Sequence, residues 1–143
     1  MAGANHTEIF ACSIGELYDV IADYEKYPEF LSEVKDCKIL KIENEKKIVE
    51  FSVSLIKTFK YTLAMTEQKP NLIAWEFVGG EVFKTSTGSW KLQEEAGRTR
   101  ANYNVEAQFS IFLPGPIAKT LLTVNLPTMM SAYHKRIKDL YGK

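Results

Sequence analysis

Residues 48–77 read IVEFSVSLIKTFKYTLAMTEQKPNLIAWEF, and apolar side chains alternate along most of that stretch. Val49, Phe51, Val53 and Leu55 form one phase against Glu50, Ser52 and Ser54. Phe59, Tyr61, Leu63 and Met65 alternate with Lys60, Thr62, Ala64 and Thr66, and Ile73, Trp75 and Phe77 with Ala74 and Glu76. A period of two is strand geometry with one apolar face. The breaks at Lys57-Thr58 and Lys69-Pro70-Asn71 are too short for a crossover. Consecutive strands must therefore be antiparallel neighbours.

The same reading extends outward. Strands are predicted at Val34–Ile42, Ile48–Ile56, Phe59–Glu67, Leu72–Val78, Ser86–Gln93 and Thr99–Phe109. The turns at Glu43-Asn44-Glu45, Gly79-Gly80 and Ala96-Gly97 have matching chemistry. Trp90 and Leu92 oppose Ser89 and Lys91, while Ala101, Tyr103, Val105, Ala107 and Phe109 oppose polar partners. A one-residue slip would expose the whole apolar set, which fixes the phase. Upstream, Asn5–Cys12 reads as a first strand, and Ser13-Ile14-Gly15-Glu16 has capping-box spacing. A helix carrying Leu17, Val20, Ile21 and Tyr24 should follow, then a short helical piece at Glu25–Leu31 with Pro28 in its first turn.

Downstream of Pro114-Gly115-Pro116, residues Ala118, Leu122, Leu126, Met129, Tyr133, Ile137 and Leu140 recur at helical spacing. They predict an amphipathic helix of about seven turns, with Pro127 imposing a kink near Thr123. Only this helix is long enough to cover the apolar face of the sheet. The expectation is one α+β domain, residues 1–143, of the helix-grip kind: a curved antiparallel sheet of about seven strands wrapped round a long C-terminal helix.

Composition narrows the function. With 18 basic and 18 acidic residues the chain has no net charge, so no nucleic-acid partner is expected. Residues 1–36 are nevertheless net −6, and the remainder net +6. Two cysteines, Cys12 and Cys37, are too few for a disulfide framework. The start MAGANHTEIF has no secretory pattern, and Phe109–Pro127 is too interrupted to span a membrane. A cytoplasmic protein is expected, and the sequence sets no oligomeric state.

The interior is chemically quiet. In the five best-phased strands the apolar side holds no Asp, Glu, Lys, Arg or His, only the Tyr61 and Tyr103 hydroxyls and the Trp75 and Trp90 indole N–H groups. Acid–base catalysis needs a titrating group there and a metal needs several ligands, so no catalytic residue, metal or cofactor is expected. Phe51, Val53, Tyr61, Leu63, Trp75, Phe77, Trp90, Tyr103 and Val105 should face Leu122, Leu126, Met129 and Tyr133 of the helix. Such a set either fills a core or lines an apolar ligand site. His6, in phase with Glu8, is read as solvated and His134 as exposed on the back of the helix, with no shared ligand spacing. Lys135, Arg136 and Lys138 offer a transient membrane-surface contact.

Two stretches resemble the START-like (SRPBCC, helix-grip) superfamily, within it the polyketide cyclase/dehydrase and coenzyme-Q-binding lipid-transport group. One is LYDVIADYEKYPEFLSEVKDCKIL, residues 17–40; the other is Gly88–Pro114, through Gly88, Trp90, Leu92, Thr99, Tyr103 and Pro114. The resemblance implies non-enzymatic binding or transport of a lipid, isoprenoid quinone or polyketide in an internal cavity, with a hydrophobic small molecule as partner. The alternatives it brings are a polyketide aromatase/cyclase or dehydratase, and a ribosome-association-type interaction module. Phe30-Leu31 is followed by Ser32-Glu33-Val34, where quinone-binding and ribosome-associated relatives have a proline, and this counts against transferring those two roles. Fold alone assigns no chemistry.

Overall fold

The computed structural model describes residues 2–54, 58–81, 83–110 and 126–142. In chain order come β1 (Ala2–Phe10), α1 (Ile14–Ala22), a 3-10 turn (Tyr24–Glu29) and β2 (Val34–Glu43). Then follow β3 (Lys46–Ser54), β4 (Thr58–Gln68), β5 (Leu72–Gly80), β6 (Phe83–Glu95), β7 (Arg98–Phe109) and the C-terminal helix α2 (Leu126–Tyr141). All seven strands join in one antiparallel sheet, ordered β1-β7-β6-β5-β4-β3-β2. This is the helix-grip α+β architecture.

Local chemistry accounts for the joints. Ser13 Oγ accepts from the Glu16 N–H at 3.1 Å, and the Glu16 carboxylate accepts from the Ser13 N–H at 3.0 Å, completing the capping box. Asn44 turns the β2–β3 hairpin with φ 54°, a left-handed state Asn tolerates. Ala96 and Gly97 both take positive φ at the β6–β7 hairpin, the geometry that matches strand twist. Register shifts interrupt the β2–β3, β4–β5 and β6–β7 ladders, and such irregularities bend a sheet.

The strand phase is as expected: Glu76 and Glu106 are exposed, while Val49, Phe51, Leu63, Ile73, Trp90, Tyr103 and Val105 are buried. From α2, Met130, Tyr133 and Ile137 are buried at helical spacing. The helix is described from Leu126, with Pro127 as its second residue. The Ala118–Thr123 part, Leu122 and the kink fall outside the described residues.

Several expectations need correction. β1 runs Ala2–Phe10, so Cys12 lies beyond its end; there the Cys12 carbonyl accepts from Thr99 Oγ1 at 3.0 Å. Pro28 is the fifth residue of its six-residue turn, not in its first turn. β6 begins at Phe83, three residues before Ser86. Most consequential is β1 itself. His6 lies opposite Tyr103 and Glu8 opposite Ala101, and directly opposed residues share a face. His6 and Glu8 therefore point inward with Phe10, not to solvent.

Candidate ligand cavity

Between the concave face and α2 lies a cavity of about 290 Å³. From β3 and β4 its wall takes Phe51, Val53, Tyr61 and Leu63; from β5, β6 and β7 it takes Trp75, Trp90, Tyr103 and Val105. Helix α2 closes it with Met129 and Tyr133. These are ten of the thirteen residues expected to face one another. Phe77 is a correction: it is absent from the wall and sits edge-on to Phe83, ring centroids 6.3 Å apart. A ladder shift between β4 and β5 at Thr62/Leu63 falls just beside it, and Phe83 takes the lining position. Leu122 and the side chain of Leu126 lie outside the described residues.

Eight lining aromatics form a continuous belt. Tyr61 stacks on Phe51 (5.5 Å), Phe51 meets Tyr27 (6.3 Å), and Tyr27 meets Phe30 edge-on (5.9 Å). Phe30 then meets Tyr133 (5.2 Å), Tyr133 meets Trp90 (5.3 Å), Trp90 meets Tyr103 (4.9 Å) and Tyr103 meets Trp75 (5.8 Å). Offset and edge-on contacts at these distances are the favourable ones for aromatic rings. The belt runs along the wall and leaves space inside it.

Two lining features escaped sequence reasoning. The 3-10 turn and the segment after it contribute Tyr27, Phe30, Leu31, Ser32, Glu33 and Val34. Met65, Phe83, Ser86, Thr128 and Ala132 complete the wall. A signal existed for the first group, since Tyr27-Pro28-Glu29-Phe30-Leu31 is an aromatic-rich run in a turn, where a solvated connection would be polar. Met65 already lay in the inward phase of its strand and Ser86 shares the phase of Trp90, whereas Phe83 turns inward only through the ladder shift between Phe83 and Thr85, which alternation does not record.

The electrostatics are those of a neutral, hydrogen-bonding pocket. Tyr27 donates to the Ile21 carbonyl, and its hydroxyl is paired with that of Tyr133. Burial pushes the phenols of Tyr61, Tyr103 and Tyr133 above their ordinary range. They stay protonated at neutral pH, able to donate a hydrogen bond but not to act as bases. Among the described lining residues Glu33 is the one that carries a charge. No cluster of described His, Cys, Asp or Glu has the geometry to hold a metal ion.

Elsewhere the charge asymmetry is consumed internally. Asp19 pairs with Lys69 at 3.0 Å and Glu29 with Arg136 at 3.1 Å, and Glu25 accepts from the Ile39 N–H at 3.1 Å. Arg136 is thereby turned inward over the Phe30 ring, which removes it from the basic helix face. The two histidines are a second correction. His6 and His134 converge on Glu8, each Nε2 2.7 Å from a different carboxylate oxygen, so His134 faces β1 instead of the helix back.

Residues 11–133 match the family model described as polyketide cyclase / dehydrase and lipid transport. No curated protein sequence matches the chain. Among solved structures, a START superfamily protein from Mycobacterium smegmatis superposes with TM-score 0.83 at 20% identity, covering 96% of this chain and 98% of that one. The Zhui aromatase/cyclase from Streptomyces sp. R1128 gives 0.81 at 16% identity, over 96% and 93%. A STAR-related lipid transfer protein from Xanthomonas axonopodis gives 0.78 at 15% identity, over 95% and 85%. At these identities the likeness shows the fold alone.

Proposed function

Because the chain belongs to the polyketide cyclase/dehydrase and lipid-transport family, we infer that its cavity binds or carries a hydrophobic small molecule without transforming it. A lipid, an isoprenoid quinone and a polyketide are the classes that suit it. The observation that carries this reading is the aromatic belt around a space of about 290 Å³, just under the usual ligand-pocket range of roughly 300–1,000 Å³. Phenols held neutral supply orientation, and no imidazole lies among the described lining residues. The protein would work in the cytoplasm. No helix among the described residues is long and apolar enough to cross a membrane, and Lys135 and Lys138 leave room for passing contact with anionic lipid.

The test is native mass spectrometry of protein purified from its own cells, followed by titration of the delipidated protein with the molecule found. Binding should quench Trp75 or Trp90 fluorescence, and Tyr103→Ala should weaken it. An adduct-free protein that gives no fluorescence response to neutral quinones, sterols or aromatic polyketides would sink the reading. A second reading, aromatase/cyclase or dehydratase activity, draws on the Tyr61, Tyr103 and Ser86 hydroxyls among the lining groups. It requires the protein to speed cyclisation of a poly-β-ketone thioester beyond the spontaneous rate, with a changed product ratio.

A further inference from the structure

Three side chains meet where the edge strand passes under the terminal helix. Glu8 of β1 accepts from His6 Nε2 through one carboxylate oxygen and from His134 Nε2 of α2 through the other, both at 2.7 Å. The His134 ring lies on Phe10, centroids 4.4 Å apart, and Phe10 is fully buried. Glu8 is itself only 27% exposed. A half-buried carboxylate on the inner face of a strand is costly unless it is paired. Here both oxygens are taken by imidazole nitrogens, the side-chain type whose charge ordinarily changes near neutral pH.

We propose that His6, Glu8 and His134 form a proton-operated clasp that fastens α2 to β1 and so sets how readily the helix lifts from the cavity. With neutral imidazoles, Glu8 receives two ordinary Nε2–H bonds. Protonated imidazoles turn both into charge-assisted bonds across a +/−/+ arrangement, roughly doubling each in strength. Once Glu8 takes up a proton, two imidazoliums face each other with no anion between them, and the clasp becomes repulsive. It is therefore tightest in a mildly acidic window.

The sign for Glu8 follows from its surroundings. Burial alone would raise its carboxyl, but hydrogen bonds from His134 and His6 and their charge bring it below the ordinary value. Its contribution is thus present above the ordinary carboxylate range and is lost as pH falls through that lowered value. Among the other charged groups on the adjoining elements, Glu106 and Arg98 of β7 are exposed, opposite Gly3 and Glu95 respectively. On β7, Arg100 pairs with Glu95. On α2, Arg136 pairs with Glu29 and Lys135 with Asp139, while Lys138 is exposed one turn beyond His134. On α1, Glu16, Asp19 and Asp23 lie toward Tyr141, at the far end of α2.

The helix that the clasp holds also lines the cavity, and His134 directly follows Tyr133, which packs on Trp90. Only the effect on ligand exchange rests on the ligand-binding reading. The clasp itself does not.

Hydrogen–deuterium exchange of the whole protein tests it, following α2 amides relative to those of β6 and correcting for intrinsic rates. Between about pH 8 and about pH 5.5, α2 exchange should slow roughly fivefold. Glu8→Gln, which keeps an acceptor without the charge, should abolish that slowing, as should His134→Asn. An α2 profile that is flat over this range, or identical in Glu8→Gln, overturns the clasp. Should the variants unfold, the wild-type profile alone decides. Dissociation of Nile red should slow in step with α2 exchange. Dye release that ignores pH while α2 exchange responds overturns the gating role, and failure of Nile red and all neutral ligands to bind counts against the cavity reading alone.

Discussion

Trp90 of β6 and Tyr133 of α2 meet edge to face, ring centroids 5.3 Å apart, each about 3% exposed. This contact ties the sheet to the helix directly beside the cavity. The Tyr133 hydroxyl is paired with Tyr27, which donates in turn to the Ile21 carbonyl at the end of α1. One side chain thus joins α2, the 3-10 turn, α1 and the sheet.

Two substitutions separate the ring from the hydroxyl. Tyr133→Phe keeps the packing and loses one buried hydrogen bond, a cost of about 1 kcal/mol. Tyr133→Ala also loses the ring and should cost about 3 kcal/mol or more. Urea denaturation measures both. Equal losses would mean that the ring contributes little, and that α2 is not fastened here.

Gly88 keeps the far wall in place. A Cβ there would lie 2.3 Å from Trp75 Cζ2 and 2.5 Å from the Asn104 carbonyl oxygen. The indole rests on bare backbone, and the carbonyl cannot move without breaking the β6–β7 ladder. Gly88→Ala should therefore destabilise by about 1–3 kcal/mol, as overpacking does, and should displace Trp75 into the cavity. Thermal melts and the Trp75 emission maximum check both effects. A silent substitution would show that the indole lies elsewhere.

The meander was legible because Phe51, Tyr61 and Tyr103 each sit between polar neighbours, and that contrast encodes the face. β1 lacked it. Asn5, His6, Thr7 and Glu8 are all polar, so alternation cannot say which pair faces in, and the pairing of β1 with β7 decides. The Tyr27–Val34 wall showed an aromatic-rich run but not its direction, for another reason. A 3-10 turn aims its side chains by tertiary packing, with no period to read. The cavity itself depends on volumes left between rings, which pattern does not record.

Cys37 offers a test of burial by pH. Its thiol is pushed up to about 12 by burial, with Glu25 and Asp36 adding to the shift. A raised folded value means the stabilising contribution is complete below the ordinary thiol range. It is lost as pH rises from about 9 through about 12. Native protein should resist iodoacetamide at Cys37 near neutral pH and react only as it unfolds. Rapid stoichiometric labelling of Cys37 in folded protein, read by peptide mass spectrometry, would contradict the buried position of Cys37 in β2.

The last prediction concerns ligand charge. The described cavity wall offers neutral donors, namely phenols held protonated, indole N–H groups and Ser86, and its one charged residue is the carboxylate of Glu33. A fatty-acid anion inside would find no cation among these groups, and an unpaired buried carboxylate costs several kcal/mol, on the order of 2 or more after relaxation. Neutral oxygen-bearing ligands should bind at least about tenfold more tightly than anions of equal length, where 1.4 kcal/mol is one factor of ten. Their binding should change little with salt, since it draws on burial of apolar surface. Glu33→Gln should narrow the gap by relieving repulsion at the wall, leaving the affinity of the neutral ligand almost unchanged. Titration of palmitate against its methyl ester, followed through Trp75 and Trp90, compares the two directly. Tighter binding of palmitate at neutral pH would require a basic group at the cavity and would overturn this preference.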